Sequence, residues 1–126
     1  MGVILDTTVL IGAEKRTFDL EAFLESRSDD TVGIAAITAS ELLHGVERAT
    51  DKGKRSRRGD LVEGLLDAFP TFAFGLEEAR IHARIWAALA TRGKMIGAHD
   101  LIISATAIAR GSEVAKIGRA SCRERV

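Results

Sequence analysis

The apolar and polar positions along the chain alternate between short apolar runs and longer stretches of helical periodicity. Three apolar residues, Val3 to Leu5, run directly into Asp6, and two threonines and three further apolar residues follow. A continuous apolar run is typical of a strand buried on both faces, as in a parallel sheet covered by helices. An aspartate at the carboxyl end of such a strand lies where open α/β sheets bind their ligands, but Asp is equally a common cap of the following turn.

The rest of the pattern predicts three further strands and five helices. Pro70 stops one of these helices, and Gly93 and Gly111 follow two others. This alternation of strands and helices implies a central parallel sheet covered by helices. The predicted strands are 32–37, 71–74 and 112–115, and the helical stripes lie in 19–26, 38–49, 61–69, 77–92 and 101–111.

Two further acidic residues begin predicted helices, and each has an ordinary structural explanation. Thr38 and Glu41 have the S/T-x-x-E spacing of a capping box, which predicts a helix that begins at Thr38. Asp100 lies in the first turn of the last helix, where the helix dipole favours a carboxylate by ~0.3–1 kcal/mol. Periodicity alone therefore does not bring Asp100 close to Asp6.

Composition restricts the class of protein. A chain of 126 residues that is 46% hydrophobic fits one soluble domain. No apolar stretch approaches the roughly 18 residues of a membrane span, and no secretory signal is present, so we expect a cytoplasmic protein without a membrane partner. The single cysteine, Cys122, excludes an internal disulfide framework and a cysteine-rich zinc site.

Apart from the C-terminal residues, positive charge is concentrated in one short stretch in the middle of the chain, at residues 52–58. The formal net charge of the chain is zero, so any electrostatic argument for nucleic acid has to be local. A short charge run is more often a solvated loop or helix start, but it can also contact phosphates. The basic residues of this stretch, candidates for RNA contact, are Lys52, Lys54, Arg55, Arg57 and Arg58.

Three segments together resemble the successive motifs of PIN-domain ribonucleases, specifically the VapC-type toxins. The segments are Ile4–Ile11, Ser40–Gly45 and Asp100–Ala107, and their order, spacing and flanking residues all correspond. The resemblance extends from residue 3 to about residue 115. It implies a PIN-like three-layer α/β fold, in which a central parallel sheet is flanked by helices.

The resemblance also implies an acidic metal site. Asp6, Glu41 and Asp100 would be catalytic ligands of Mg²⁺ or Mn²⁺, and Thr8 would support them. Mg²⁺ prefers oxygen ligands, and a bound metal can activate water and stabilise the leaving oxygen of a phosphodiester. The implied function is a metal-dependent endoribonuclease, the toxin of a toxin–antitoxin system, with an RNA substrate, a cognate antitoxin and a homodimeric assembly.

The last eleven residues depart from this family. The family continues with a T-x-N-x-x-D-F-like motif, which supplies a fourth acidic residue, and with a last strand. Residues 116–126 contain neither and read like a translated sequencing adapter. We therefore expect an incomplete PIN domain over 1–115 that lacks its last strand, a non-native tail over 116–126, and impaired metal binding. Without that tail the chain has 14 basic and 17 acidic residues, a net charge of −3.

Two other functions are compatible with the pattern. A non-catalytic PIN-like module could dimerise and bind an antitoxin; Mn²⁺ would not stabilise such a module, which separates it from the nuclease. A phosphoaspartyl-transferring phosphatase of the haloacid-dehalogenase type also places a nucleophilic Asp after a strand. That chemistry requires a second acid two residues later, where this chain has Thr8.

Overall fold

Four parallel strands form the centre of the fold in the computed structural model, which describes residues 2–117 and the backbone of residues 123 and 124. β1 lies between β2 and β4, so both of its edges are hydrogen-bonded. The predicted α/β class with a parallel sheet is confirmed. The strands, in spatial order, are β3 (Thr71–Phe72), β2 (Thr31–Ala35), β1 (Gly2–Leu5) and β4 (Ser112–Ala115).

A fifth strand, β5 (Arg123–Glu124), pairs antiparallel with β4. The prediction that no strand follows β4 is therefore wrong for these two residues. An edge strand presents a row of unpaired N–H and C=O groups. Because main-chain groups supply the partners, two residues without an apolar pattern can pair there.

Within residues 2–117, six helices connect the strands, and the first of them was not predicted. The apolar residues after Asp6 continue the run of β1 in the sequence, but they form a helix whose buried residues are Val9, Leu10 and Gly12. The strand therefore ends at Leu5. The helices are α1 (Thr7–Glu14), α2 (Leu20–Ser26), α3 (Ala36–Arg48), α4 (Lys52–Ala68), α5 (Leu76–Thr91) and α6 (Ala98–Ala109).

The helix after β2 begins two residues earlier than predicted. Ala35 occupies the N-cap position of α3 and makes no side-chain cap, so the predicted capping box of Thr38 and Glu41 is wrong. Thr38 is instead fully buried, and its hydroxyl has no hydrogen-bond partner among the residues described. Burial of the inner face of α3 sets the position of Thr38, and Glu41 is left without a capping role.

The two faces of the sheet build two separate apolar cores. Val3 and Leu5 belong to one core and Ile4 to the other, as the two-residue period of a strand requires. The Ile4 core includes Ile103 and Ala107 of α6, which confirms the prediction that this helix is buried. α5 packs against α6. In residues 2–117, no helix combines the length and apolarity that crossing a bilayer requires.

An ion-pair network ties the amino-terminal edge of the sheet together. The Arg27 guanidinium donates to Asp30 at 3.1 Å and to the buried Glu113 of β4 at 3.4 Å. The hydrogen bond from Arg27 lowers the pKa of Asp30. The stabilisation from this lowered pKa is present above the ordinary pKa of the carboxyl group and is lost as the pH falls through the lowered value.

Gly33 provides a test of the close contact between β2 and β3. A Cβ at this position would lie 2.5 Å from Cε2 of Phe72 and 2.9 Å from the backbone oxygen of Pro70. We expect Gly33→Ala to lower the free energy of unfolding by about 1–3 kcal/mol, because overpacking forces neighbouring groups apart. Urea unfolding followed by circular dichroism measures this change.

Gly64→Ala is the matched control. Gly64 lies inside α4, and a Cβ there would meet no atom within 4 Å. The same substitution should therefore raise stability by about 0.5–1 kcal/mol, because alanine is the better helix former. Equal effects at the two glycines would contradict the steric account of Gly33.

Candidate active site at the carboxyl edge of the sheet

Asp6 lies where β1 ends and α1 begins. Its backbone N–H donates to the carbonyl of Ala115 at 2.9 Å, which joins it to the end of β4. Its Oδ2 accepts hydrogen bonds from the backbone N–H of Thr8 at 3.1 Å and from the Thr8 hydroxyl at 2.8 Å. Asp6 is therefore both the N-cap of α1 and the acidic residue at the strand end, and it is only 6% exposed.

Thr8 connects Asp6 with the chain that follows β4. Its Oγ1 donates to Asp6 and accepts a hydrogen bond from the backbone N–H of Ile117 at 3.0 Å. The hydroxyl thus fixes the orientation of the carboxylate and the path of the chain at Lys116 at the same time. The sequence analysis assigned Lys116 and Ile117 to the tail outside the domain, but in the structure both lie at this site.

Glu41 is linked to the other two acidic residues through their sequence neighbours. Its Oε1 accepts a hydrogen bond from the Thr7 hydroxyl at 2.8 Å. Its Oε2 lies 2.9 Å from Nδ1 of His99. Because Thr7 follows Asp6 and His99 precedes Asp100, the half-buried Glu41 side chain lies between the segments that carry both aspartates.

Asp6 and Asp100 line the same small cavity, which has a volume of about 90 Å³. That volume corresponds to about three water molecules. Asp100 enters from the first turn of α6, and Ser104 lies on the same helix face because it is four residues further along. The remaining lining residues are Ile96, Ile103, Val114 and Lys116.

The oxygen donors of this site suit a hard divalent cation, although the three carboxylates do not converge on one point in the structure. Within residues 2–117, no group of three or more His, Cys, Asp or Glu side chains lies close enough to hold a single metal ion. Asp6 and Asp100 border one cavity, while Glu41 is turned towards Thr7 and His99. Carboxylate and hydroxyl oxygens are nevertheless the ligands that Mg²⁺ and Mn²⁺ prefer. The two carboxylates and the Ser104 hydroxyl that line the cavity are compatible with such an ion, because Mg²⁺ keeps several waters and is often held by one or two carboxylates.

Three residues of this site carried no functional assignment from the sequence. Thr7 and Ser104 were read as parts of the flanking motifs, and Lys116 was excluded with the tail. The i, i+4 spacing of Asp100 and Ser104 on a predicted helix was a usable signal for Ser104. No local pattern predicts that Thr7 reaches Glu41, because 34 positions of sequence separate them.

The basic stretch lies in the first turns of α4, after the N-cap Asp51. Arg55 pairs with Glu47 at 2.9 Å, and Arg58 pairs with Glu14 at 3.1 Å. Lys54 and Arg57 line an open depression beside Arg58. None of the five basic residues lines the cavity of Asp6 and Asp100.

A second, apolar groove lies between α5 and α6. Its volume is about 630 Å³. Trp86 is 63% exposed there, so this side chain is not part of the core. It stacks edge-on against His82, which in turn stacks against Phe74. The lining residues are His82, Trp86, Leu89, Ala90, Lys94, Met95, Ile96, Ala98, Leu101 and Ile102.

Comparison with known proteins agrees with this fold. The family described as PIN domain matches residues 3–117. A relative in Rickettsia bellii, named Ribonuclease VapC, is 36% identical over 108 residues, which are 86% of this chain and 78% of the relative.

Two solved structures share the fold over most of their length. The DNA-bound VapBC of Salmonella typhimurium has a TM-score of 0.82 and 25% identity, covering 92% of this chain and 86% of that chain. FitAcB of Neisseria gonorrhoeae has a TM-score of 0.81 and 29% identity, covering 96% of this chain and 90% of that chain.

Proposed function

The chain belongs to the PIN-domain family, and from this premise we propose that it is the ribonuclease toxin of a toxin–antitoxin system. The observation that carries the proposal is the cavity shared by Asp6 and Asp100 at the carboxyl edge of β1. The relative named as a ribonuclease supports an RNA substrate. A cognate antitoxin is the expected protein partner, because the structural relatives include VapBC assemblies.

Asp6, Glu41 and Asp100 are the residues that would hold Mg²⁺ or Mn²⁺ in this protein. Such an ion supplies positive charge beside the scissile phosphate and lowers the pKa of a bound water. Thr8 orients the Asp6 carboxylate through its two hydrogen bonds. The amino end of α6, which carries Asp100, adds N–H groups that favour a phosphate at the same edge.

A non-catalytic binding module is the second candidate function. It is favoured by one observation: both Glu41 oxygens are engaged by Thr7 and His99, so the described residues hold no converged three-carboxylate site. Such a module would bind an antitoxin without responding to a metal. The response of stability to Mn²⁺ therefore distinguishes the two functions.

Asp6→Asn tests the metal site directly. The substitution keeps the shape of the side chain but removes the charge that a cation requires, so we expect RNA cleavage to fall by about 10²–10³-fold. The rise in melting temperature that Mn²⁺ causes in the parent should be lost in parallel. Cleavage of a labelled RNA and thermal unfolding with and without Mn²⁺ provide the two measurements.

Asp60→Asn is the matched control for this change. Asp60 is exposed on α4, outside the cavity of Asp6 and Asp100. Cleavage and the Mn²⁺ effect should stay at the parental values in this variant. A parent that Mn²⁺ fails to stabilise would instead favour the non-catalytic module.

We further infer that the basic start of α4 contacts RNA phosphates. Lys54 and Arg57 make no ion pair within residues 2–117, so their charge can reach a ligand without breaking a contact. The double variant Lys54→Gln/Arg57→Gln should bind single-stranded RNA more weakly. The slope of log K against log salt should become shallower by about 1.4, which is about 0.7 per phosphate contact. An unchanged slope would mean that these two residues do not contact RNA phosphates.

We also infer that the exposed face of α5 joins two copies of this chain. Trp86 lies near the middle of this face, Leu76 is 69% exposed at its start, and Met95 is 93% exposed beyond its end. A two-fold axis near Trp86 would bring the exposed Trp86 side chains of the two copies together.

Trp86→Lys tests this homodimer. Two like charges would face each other near the axis, and an aromatic anchor would be lost, so we expect a monomer at micromolar concentration. Light scattering coupled to size exclusion measures the mass. Leu61→Lys, at a 40% exposed leucine on α4, is the control and should leave the dimer intact. A dimer that survives Trp86→Lys would refute the α5 interface.

A further inference from the structure

A second open depression lies between the end of α3 and the first half of α4. Its volume is about 270 Å³. Two arginines from different helices line it, Arg48 of α3 and Arg58 of α4. The other lining residues are Gly45 and Ala49. This space, the α3–α4 depression, therefore combines two positive side chains with two small residues.

Both arginines keep hydrogen-bond donors for a ligand. Arg58 binds Glu14 of α1 through Nε at 3.1 Å, and its two terminal nitrogens have no partner among the residues described. Arg48 is exposed and pairs with no carboxylate of residues 2–117. Because Glu14 neutralises only one of the two charges, the depression keeps a net positive charge. The planar guanidinium group suits a phosphate, which it can bind through two donors at once.

The α3–α4 depression lies in line with the Glu41 side of the acidic site. Glu41, Gly45 and Arg48 share one face of α3, because they are four and then three residues apart. Arg48 lies about 10 Å further along the helix axis than Glu41, since each residue of an α-helix adds about 1.5 Å. One helix face therefore leads from the acidic site to the depression.

Helix α1 connects the same two places. At its start, Thr7 donates to Glu41 at 2.8 Å, and at its end Glu14 accepts from Arg58 at 3.1 Å. Thr7 and Glu14 are about two helical turns apart, which again corresponds to about 10 Å. The contacts of α1 and the spacing along α3 therefore agree on the distance between the acidic site and the depression.

We propose that the α3–α4 depression binds a backbone phosphate of the RNA substrate near the phosphate that is cleaved. The inference rests on the proposed ribonuclease function. A strand whose scissile phosphate lies at Asp6 and Asp100 can continue along α3 past Gly45, where a Cβ would meet no atom within 4 Å. Arg48 and Arg58 then hold the next part of its backbone. Since they contact phosphate alone, they position the strand without reading its sequence.

The position of Arg58 favours RNA over a ligand with a single negative charge. Arg58 lines the α3–α4 depression and also the neighbouring depression of Lys54 and Arg57. The basic surface is therefore continuous from Arg48 to Lys54 and Arg57. Successive positive charges that start beside an acidic catalytic site match a ligand with one negative charge per nucleotide.

Arg48 also has an ordinary structural explanation. It lies in the last turn of α3, where the helix dipole favours a positive charge. That role alone would make the melting temperature, and not the affinity for RNA, depend on the charge of Arg48. Gly45 separates the two roles, because it lines the depression without carrying a charge.

Binding of a short labelled single-stranded RNA of mixed sequence to the full chain, measured by fluorescence anisotropy without metal, tests the proposal. Arg48→Gln should bind about tenfold more weakly, the low end for a hydrogen bond to a charged group. The slope of log K against log salt should become shallower by about 0.7. Arg48→Lys keeps the charge and should keep the slope. Arg84→Gln, at an exposed arginine of α5, removes one charge elsewhere and should match the parent.

Gly45→Gln tests the space itself and leaves both arginines in place. The glutamine side chain would occupy part of the depression. We expect weaker RNA binding together with a higher melting temperature, because glutamine is a better helix former than glycine. Gly64→Gln is the matched control, since Gly64 is an exposed glycine of α4 whose Cβ would also meet no atom within 4 Å. It should melt at a higher temperature and bind RNA like the parent.

Each contrary result has a distinct meaning. Parental RNA affinity in both Arg48→Gln and Gly45→Gln would overturn the phosphate site. A loss of affinity in Arg48→Gln that Arg84→Gln reproduces would also overturn it, because only total charge would then matter. Polyglutamate that binds Arg48→Gln more weakly than the parent, with unchanged RNA affinity, would make the depression a contact for an acidic protein instead. A parent that binds no RNA would refute the proposed ribonuclease function itself.

Discussion

The hydrogen bonds around Asp6 are the constraint on which the rest of the site depends. One bond from its backbone closes β1 onto the end of β4, and two bonds to its carboxylate start α1. A nearly buried carboxylate is costly unless donors surround it, and the amino end of α1 supplies donors and a favourable dipole. The fold can therefore keep a charged group at the sheet edge. The same bonds determine where Thr7 and Thr8 lie, and through them the positions of Glu41 and Ile117.

Hydrophobic periodicity predicted most of the strands and helices. Features that depend on contacts between residues distant in sequence were not predicted. The bounds of β4 agree with the prediction, and Gly93 and Gly111 follow α5 and α6 with positive φ angles of 66° and 62°. Helix α1 was missed because a short apolar run does not distinguish a strand from a buried helix. The local pattern also offered a capping box for Glu41, beside its prediction as a metal ligand. A capping box is local, whereas the observed partners of Glu41, Thr7 and His99, are distant in sequence.

The position of Asp100 could have been derived from the topology without any family resemblance. α6 leads into β4 and packs on the sheet, so the helix runs antiparallel to that strand and its amino end lies at the carboxyl edge. A helix of 12 residues spans about 18 Å, which is enough to cross a four-residue strand of about 13 Å. The contribution of Lys116 could not be derived in this way, because it depends on how the chain leaves β4.

The two contacts of Glu41 have a kinetic and thermodynamic consequence for metal capture. With Oε1 bound to Thr7 and Oε2 beside His99, Glu41 has to give up both contacts before it can join Asp6 and Asp100 around one ion. The apparent dissociation constant for a metal then equals the intrinsic constant divided by the fraction of competent molecules. If one molecule in about a hundred is competent, the apparent affinity falls by about a hundredfold. In the proposed metal site, the two contacts of Glu41 would therefore lower the apparent affinity for the ion in addition to the effect of the number of carboxylates.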